Sequence, residues 1–258
     1  MSSPRPLTIG ILETGRSREA LSALHGGYID MFRGLFAQVA PELSFQIFPV
    51  LDDQFPDAVT ACDGWLVTGS RHGVYENLPW MLRLQGFLRE AVQVGRPVVG
   101  ICFGHQILAQ ALGGEVRKSE RGWGIAVHHY QMQNQPDWLG EQATTMALNA
   151  MHQDQVEVLP ALDGFTTEVL AESTFCPYAA LRYQRQADGR DLALSFQAHP
   201  EFGPAYEAAL IETLAGDSIP QAQADDALKI LAEGTEQPEQ QRVGRWIARF
   251  FQQACAAA

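Results

Sequence analysis

The sequence predicts an α/β fold: a doubly wound, mostly parallel central sheet with helices on both faces, continued by an antiparallel extension. Three observations carry this. Short, near-continuous apolar runs recur through the first half of the chain, as strands covered on both faces require. Amphipathic helical stretches alternate with them. After Gly114 the pattern changes to β-like segments with few helices between them.

In order, Leu7–Glu13, Leu43–Val50, Gly64–Thr68 and Pro97–Ile101 read as strands. The helix over Gly27–Val39 places Tyr28, Met31, Phe32, Leu35, Phe36 and Val39 on one stripe, and Trp80–Val94 does the same with Met81, Leu84, Leu88, Ala91 and Val92. Ile125–His129, Gln155–Leu159, Thr167–Leu170 and Ala179–Tyr183 are expected to pair as antiparallel strands that extend the sheet. Leu192–Gln197 is a further strand, followed by a helix over Tyr206–Leu214. Residues Asp217–Gln240 are rich in Gln, Asp, Glu and Pro, and their acids Asp225, Asp226 and Glu233 read as a solvated face. Arg242–Ala256 is a last amphipathic helix. No internal repeat and no long linker is present, so one domain is expected over 1–258, with a C-terminal helical extension from about 217.

Composition narrows the function. The 258 residues are 46% hydrophobic and 19% charged, ordinary for a chain that buries a core unaided. With 18 basic and 30 acidic residues the net charge is −12, which argues against a partner held by nucleic-acid phosphates. Cys62, Cys102, Cys176 and Cys255 are widely spaced, which fits a reducing compartment and neither a disulfide framework nor a zinc site. The start, MSSPRPLTIGILE, lacks a secretory apolar region, and no apolar run is long enough to span a membrane. A cytoplasmic protein with no membrane partner is expected.

The most informative segment is Pro97–Gly114, PVVGICFGHQILAQALGG. An apolar strand runs into Gly100-Ile101-Cys102-Phe103-Gly104, and a helix begins at once. This is a nucleophile elbow with Cys in place of Ser. The flanking glycines leave room for a tight turn that projects the sulfur from the carboxyl edge of the sheet. The start of the following helix favours the thiolate. Downstream, the strand Leu192–Gln197 leads into Ala198-His199-Pro200-Glu201-Phe202. The proline favours an extended segment, in which His199 and Glu201 point to the same side. A carboxylate could thus hold an imidazole whose other nitrogen faces a thiol, as acyl transfer by cysteine needs.

These segments resemble the class I glutamine amidotransferases, which hydrolyse glutamine with a Cys-His-Glu triad. The likeness rests on GICFGHQ around Cys102 and QAHPEF around His199, supported by Thr68–Tyr75 (TGSRHGVY) and Met151–Val156 (MHQDQV). It covers Leu7 to about Leu214 and is closer to stand-alone members such as γ-glutamyl peptidases than to GMP synthetase. The resemblance implies a three-layer, flavodoxin-like fold and a γ-glutamyl thioester on Cys102, with His199 moving the proton and Glu201 orienting it. It implies an oxyanion hole from the backbone N–H of Phe103 and of the Gly69–Ser70 loop. It further places Gln106 at the substrate; His152 and Asp154 read equally as pocket residues or as a structural polar pair. Where many relatives have two consecutive glycines this chain has Gly69-Ser70, which limits access to positive φ.

Other residues carry blander readings. His105 is expected to pack or hydrogen-bond in the first helical turn. His128 and His129 would face opposite sides of a strand and cannot share a metal. Arg71, His72, Tyr75 and Trp123 read as loop residues, equally able to shape specificity or to be only solvated. No metal or cofactor is expected. The favoured function is hydrolysis of the γ-amide of glutamine or of a γ-glutamyl compound. The alternatives are a glutaminase subunit feeding ammonia to a separate synthase partner, and a redox-sensing protein using Cys102. The intact His-Pro-Glu argues against the last, since a sensor needs no orienting carboxylate.

Overall fold

The computed structural model describes residues 6–256; the first five residues of the amino-terminal stretch read above for targeting signals lie outside them, as do 257 and 258. The chain forms β1 (Thr8–Leu12), α1 (Glu19–His25), α2 (Tyr28–Val39), β2 (Ser44–Phe48), β3 (Gly64–Val67), α3 (Pro79–Gln93), β4 (Val98–Ile101) and α4 (Phe103–Ala111). Then follow β5 (Glu115–Lys118), β6 (Gly124–Met132), β7 (Thr145–His152), β8 (Asp154–Val158), β9 (Phe165–Glu172), β10 (Ala180–Arg185) and β11 (Asp191–Phe196). Three helices close the chain: α5 (Pro204–Leu214), α6 (Gln221–Glu233) and α7 (Gln240–Ala256).

The main sheet runs β2-β1-β3-β4-β11-β10-β9-β6-β7. Its first five strands are parallel, and the pairings from β11 to β7 are antiparallel. The parallel half has the 2-1-3-4-5 order of doubly wound flavodoxin-like sheets, which bind ligands beyond the carboxyl ends of their strands. Alternation inside each apolar run splits the core between two faces. Ile9, Ile11, Leu66, Val99 and Ile101 pack with Phe32 and Phe36 of α2 and with Val243, Trp246 and Ile247 of α7. Trp65, Val67 and Val98 pack with Leu84 and Leu88 of α3 and with Ile107 and Leu108 of α4.

One expectation needs correction, and two elements were not singled out. Strand β8, predicted to extend the main sheet, instead pairs with β5 in a separate two-stranded ribbon. The main-sheet extension is completed by β7, whose apolar TMALNAMH was not singled out from the sequence. Within Asp217–Gln240, part of the expected helical extension, α6 occupies most of the stretch and buries Ala224 and Ala227 beside α5, while Asp225, Asp226 and Glu233 do face outward. The seven-residue α1 was also missed, because it buries only Leu21.

The outer edge of β7 is occupied by the chain itself. Glu239 donates its backbone N–H to the Ala147 carbonyl (2.7 Å), and its side chain accepts the Ala147 N–H (2.9 Å). Two residues further on, the Asn149 carbonyl accepts the backbone N–H of His199 (2.8 Å).

Helix α7 presents Val243, Trp246, Ile247, Phe250 and Phe251 to the sheet, all essentially inaccessible. We expect Trp246→Ala to lower the unfolding free energy by about 3–5 kcal/mol, measured by urea denaturation, in one transition shared by α7 and the sheet. Loss of α7 helicity with the main transition unmoved would show that the helix folds apart from the core.

Candidate active site

Strands β4 and β11 are parallel neighbours in register, with Ile101 opposite Phe196. The residues just beyond their carboxyl ends therefore emerge side by side. On β4 the next residue is Cys102, held at φ 53° and ψ −104°, a conformation that a side-chain-bearing residue rarely adopts. Its N–H donates to the Phe196 carbonyl (2.8 Å), and its own carbonyl accepts the N–H of Gln106 (3.0 Å), so the turn is fixed on both sides. The glycines are sterically required. A Cβ on Gly100 would lie 2.4 Å from the Gly104 carbonyl oxygen, and one on Gly104 would lie 2.3 Å from that of Val67.

Beyond β11 the chain crosses towards β7, where the His199 N–H meets Asn149. The Asn149 side-chain amide in turn donates to the Phe202 carbonyl (2.8 Å), pinning the segment at both ends. Within it, His199 Nδ1 donates to Glu201 Oε1 at 2.8 Å, with both side chains buried. The Phe202 ring stacks on the imidazole at a centroid distance of 3.8 Å and an interplanar angle of 5°. Burial by itself disfavours the imidazolium. The Glu201 carboxylate and Cys102, the latter by charge and hydrogen bonding, outweigh that and hold the ring's proton affinity well above the usual 6.5. The Cys102 thiol also approaches the Met151 carbonyl (3.8 Å).

The loop after β3 completes this face. A Cβ on Gly69 would stand 3.1 Å from His199 Cε1 and 3.9 Å from Cys102 Cβ, so the loop backbone lies directly over both. Neither Gly69 nor Ser70 has a positive φ, so serine carries no backbone strain there. Thr14 fastens the loop: its hydroxyl donates to the Thr68 carbonyl (2.8 Å), and its N–H donates to Thr68 Oγ1 (3.0 Å). Phe103 opens α4 directly after the cysteine, where first-turn N–H groups have no intrahelical acceptor.

Cys102 and His199 open onto a cleft of about 730 Å³, which Ser70, Gln106, His152 and Asp154 also line. The Gln106 amide is committed to the protein, donating to the Asp154 carbonyl (2.9 Å) and to Gln197 Oε1 (3.1 Å). His152 donates from Nδ1 to the Asp154 carbonyl (3.2 Å) and is buried, which drops its proton affinity to about 3 and keeps it neutral. The Asp154 carboxylate accepts from Tyr75 Oη (3.2 Å), and burial raises its pKa despite Tyr75 and Lys118. Arg71, His72, Tyr75 and Trp123 all reach the cleft. His105 does not: it is fully buried against Ser195 Oγ (2.8 Å). His128 and His129 lie outside the cleft lining, and among the described residues no group of His, Cys, Asp and Glu is arranged to hold a metal.

The opposite wall was not anticipated. It comes from Arg16, Ser17 and Arg18 after β1, from Tyr28, and from Phe202, Tyr206, Leu210 and Leu214 at the start and along α5. Only Phe202, inside QAHPEF, carried a local signal; the others reach the site through tertiary packing.

A thiol on an elbow and a carboxylate-bound imidazole at one carboxyl sheet edge define a class of α/β proteins. Residues 50–213 match the class-I glutamine amidotransferase family, and the chain belongs to it. It is an enzyme of the glutamine amidotransferase type. Gamma-glutamyl peptidase 3 of Arabidopsis thaliana is 24% identical over 229 residues, 86% of this chain and 87% of that one. The GMP synthase of Desulfotalea psychrophila is 40% identical over 112 residues, which is 42% of this chain and 20% of that protein. A solved glutamine amidotransferase from Thermotoga maritima shares the fold, with a TM-score of 0.68 at 19% identity over 95% of this chain and 98% of that one.

Burial also holds His105 near 3. Both depressed imidazoles bind protons near 6.5 once unfolded, so their stabilising contribution is full above 6.5 and is lost as pH falls towards 3. We expect His105→Gln to flatten the decline in urea stability between pH about 6.5 and 4.5. An unchanged slope would show that this ring does not resist protonation.

Proposed function

We propose that the protein is a cysteine-dependent amidohydrolase that cleaves the γ-amide of glutamine or of a γ-glutamyl compound through a thioester on Cys102. The observation that carries this is the meeting, in one cleft, of an elbow-held sulfur and an imidazole bound at 2.8 Å to a buried carboxylate. The Cys102 thiolate attacks the γ-carbonyl carbon. The resulting oxyanion takes hydrogen bonds from the Phe103 N–H and from an N–H of the Gly69–Ser70 loop. As the C–N bond breaks, His199 gives its proton to the departing amine. It then takes one from the water that attacks the thioester, releasing glutamate and the free thiol. Glu201 balances the imidazolium and fixes the ring.

Gln106, with its amide spent on protein acceptors, offers its carbonyl oxygen to the substrate. His152 and Asp154 shape the glutamyl side, the carboxylate of Asp154 suiting a substrate ammonium. A cleft of about 730 Å³ lies within the roughly 300–1,000 Å³ range that accommodates drug-sized ligands, so it admits a leaving group larger than ammonia. That favours hydrolysis of γ-glutamyl amides as the purpose, carried out by one unit spanning 1–258 in a cytoplasmic setting that suits an unmodified Cys102 thiol. The likeness to a GMP synthase favours a second reading, a glutaminase working with a separate synthase partner.

Cys102→Ala should reduce turnover by at least about a hundredfold while thermal unfolding is unchanged, since a covalent nucleophile has no substitute. His199→Ala should lose nearly as much. Glu201→Gln should lose less, because an amide holds the ring but does not balance its charge; wild-type turnover in Glu201→Gln would remove it from the mechanism. For the substrate, kcat/KM of the purified chain should be higher on at least one γ-glutamyl amide than on glutamine. Silence on both, relieved by a co-purifying synthase, would establish the second reading instead.

A further inference from the structure

The hydrolase reading above divides the cleft in two, and the division says what kind of leaving group the enzyme takes. Departing nitrogen must lie beside the imidazole that protonates it. The leaving-side wall is therefore the one continuous with His199: Phe202 stacked on the ring, Tyr206 against Phe202 (centroids 4.6 Å apart), and Ser17, whose hydroxyl hydrogen-bonds Tyr206 Oη at 2.9 Å. That last bond, between positions far apart in sequence, holds the backbone next to Arg18 against α5.

The cations of this wall differ in their commitments. Arg16 is held by Glu13 and Asp52. Arg18 lines the same cleft and is exposed; its backbone carbonyl accepts the N–H groups of Leu21 and Ser22 at the start of α1, but its guanidinium makes no hydrogen bond or ion pair to any described residue, its neighbour Glu19 included. On the far, glutamyl wall the charges are mixed: Asp154 stands opposite Lys118 in the β5–β8 register, which suits the ammonium and carboxylate of an amino-acid head group. A protein of net charge −12 thus presents an uncommitted guanidinium where the leaving group departs. Guanidinium pairs with carboxylate in a planar, two-pronged fashion, and no carboxylate among the described residues fills that role here.

We propose that Arg18 is a specificity-determining residue that binds a carboxylate on the leaving group. The preferred substrates would then be γ-glutamyl amino acids or peptides with a free carboxyl terminus, rather than γ-glutamyl derivatives of neutral amines. The aromatic floor of Tyr28, Phe202 and Tyr206 would accept the body of that leaving group.

The test compares kcat/KM for γ-glutamylglycine, γ-glutamylglycinamide and glutamine in the wild type and in Arg18→Gln. The two dipeptides differ only in the charge at the leaving end. The wild type should prefer the acid by about tenfold, and added salt should shrink that preference. Arg18→Gln should level the ratio by losing rate on the acid alone, and Arg18→Lys should restore part of it. Equal wild-type rates on acid and amide would overturn the proposal. So would an equal fall on all three substrates in Arg18→Gln, which would place Arg18 at the glutamyl head group. Absence of hydrolysis of any of the three by the wild type would instead overturn the hydrolase reading itself, and this assignment with it.

Discussion

The parallel pairing of β4 with β11 is the constraint on which the site depends. With Ile101 opposite Phe196, Cys102 leaves its strand one residue beyond the pair, and His199 follows three residues beyond. A two-residue slip would keep every side chain on its proper face, so the core alone would tolerate it. It would nevertheless carry the imidazole about 6.6 Å along the strand axis, beyond hydrogen-bond reach of the sulfur. Register is therefore fixed by more than hydrophobic patterning. The Cys102 N–H on the Phe196 carbonyl locks one strand end to the other, and Gly104 seats α4 against the Val67 carbonyl of the next strand. Strained backbone at Cys102 persists because three neighbouring elements determine it together.

What could be read from the sequence follows from how local each signal is. The elbow was legible because its requirements, an apolar strand, two glycines and an immediate helix, all fall within a few residues. The His-Pro-Glu pair was legible because its two side chains lie two residues apart around one proline, although the segment bends at Pro200 and Glu201 rather than running extended as expected. The bounds of α6 inside the helical extension were not, since its buried face consists of Ala224 and Ala227 with partly covered leucines, too weak a stripe to stand out from its Gln and Asp. The placement of β8 was lost for another reason. Alternation says that a strand is half-buried but not which partner it takes, and here β5, with its own Glu, Arg and Lys, offered the closer antiparallel match. The wall of Ser17, Arg18, Tyr28 and Tyr206 draws on segments remote in sequence, and no local rule brings those together.

Electrostatically, the interior around the cleft is kept nearly neutral apart from one ion pair. His105 and His152 are buried and held uncharged, and the fully buried Glu207 of α5 is pushed up to about 8 by desolvation, which keeps its carboxyl protonated near neutrality. His199 is the exception: Glu201, 2.8 Å from its Nδ1, and Cys102 favour its protonated form against the same burial. Charge is thus withheld from the buried rings and the carboxyl that pack around the cleft.

The backbone bond between His199 and Asn149 reaches beyond the positioning of a ring. Strand β7 ends the sheet, and an open strand edge is a template on which another chain can add. Here Glu239 covers the outward groups of Ala147, and His199 covers the outward carbonyl of Asn149, so the site segment serves as a short surrogate strand. Release of that segment would bare part of the edge in the same motion that frees the imidazole. The position of the imidazole and the cover of the sheet edge thereby depend on one and the same backbone contact.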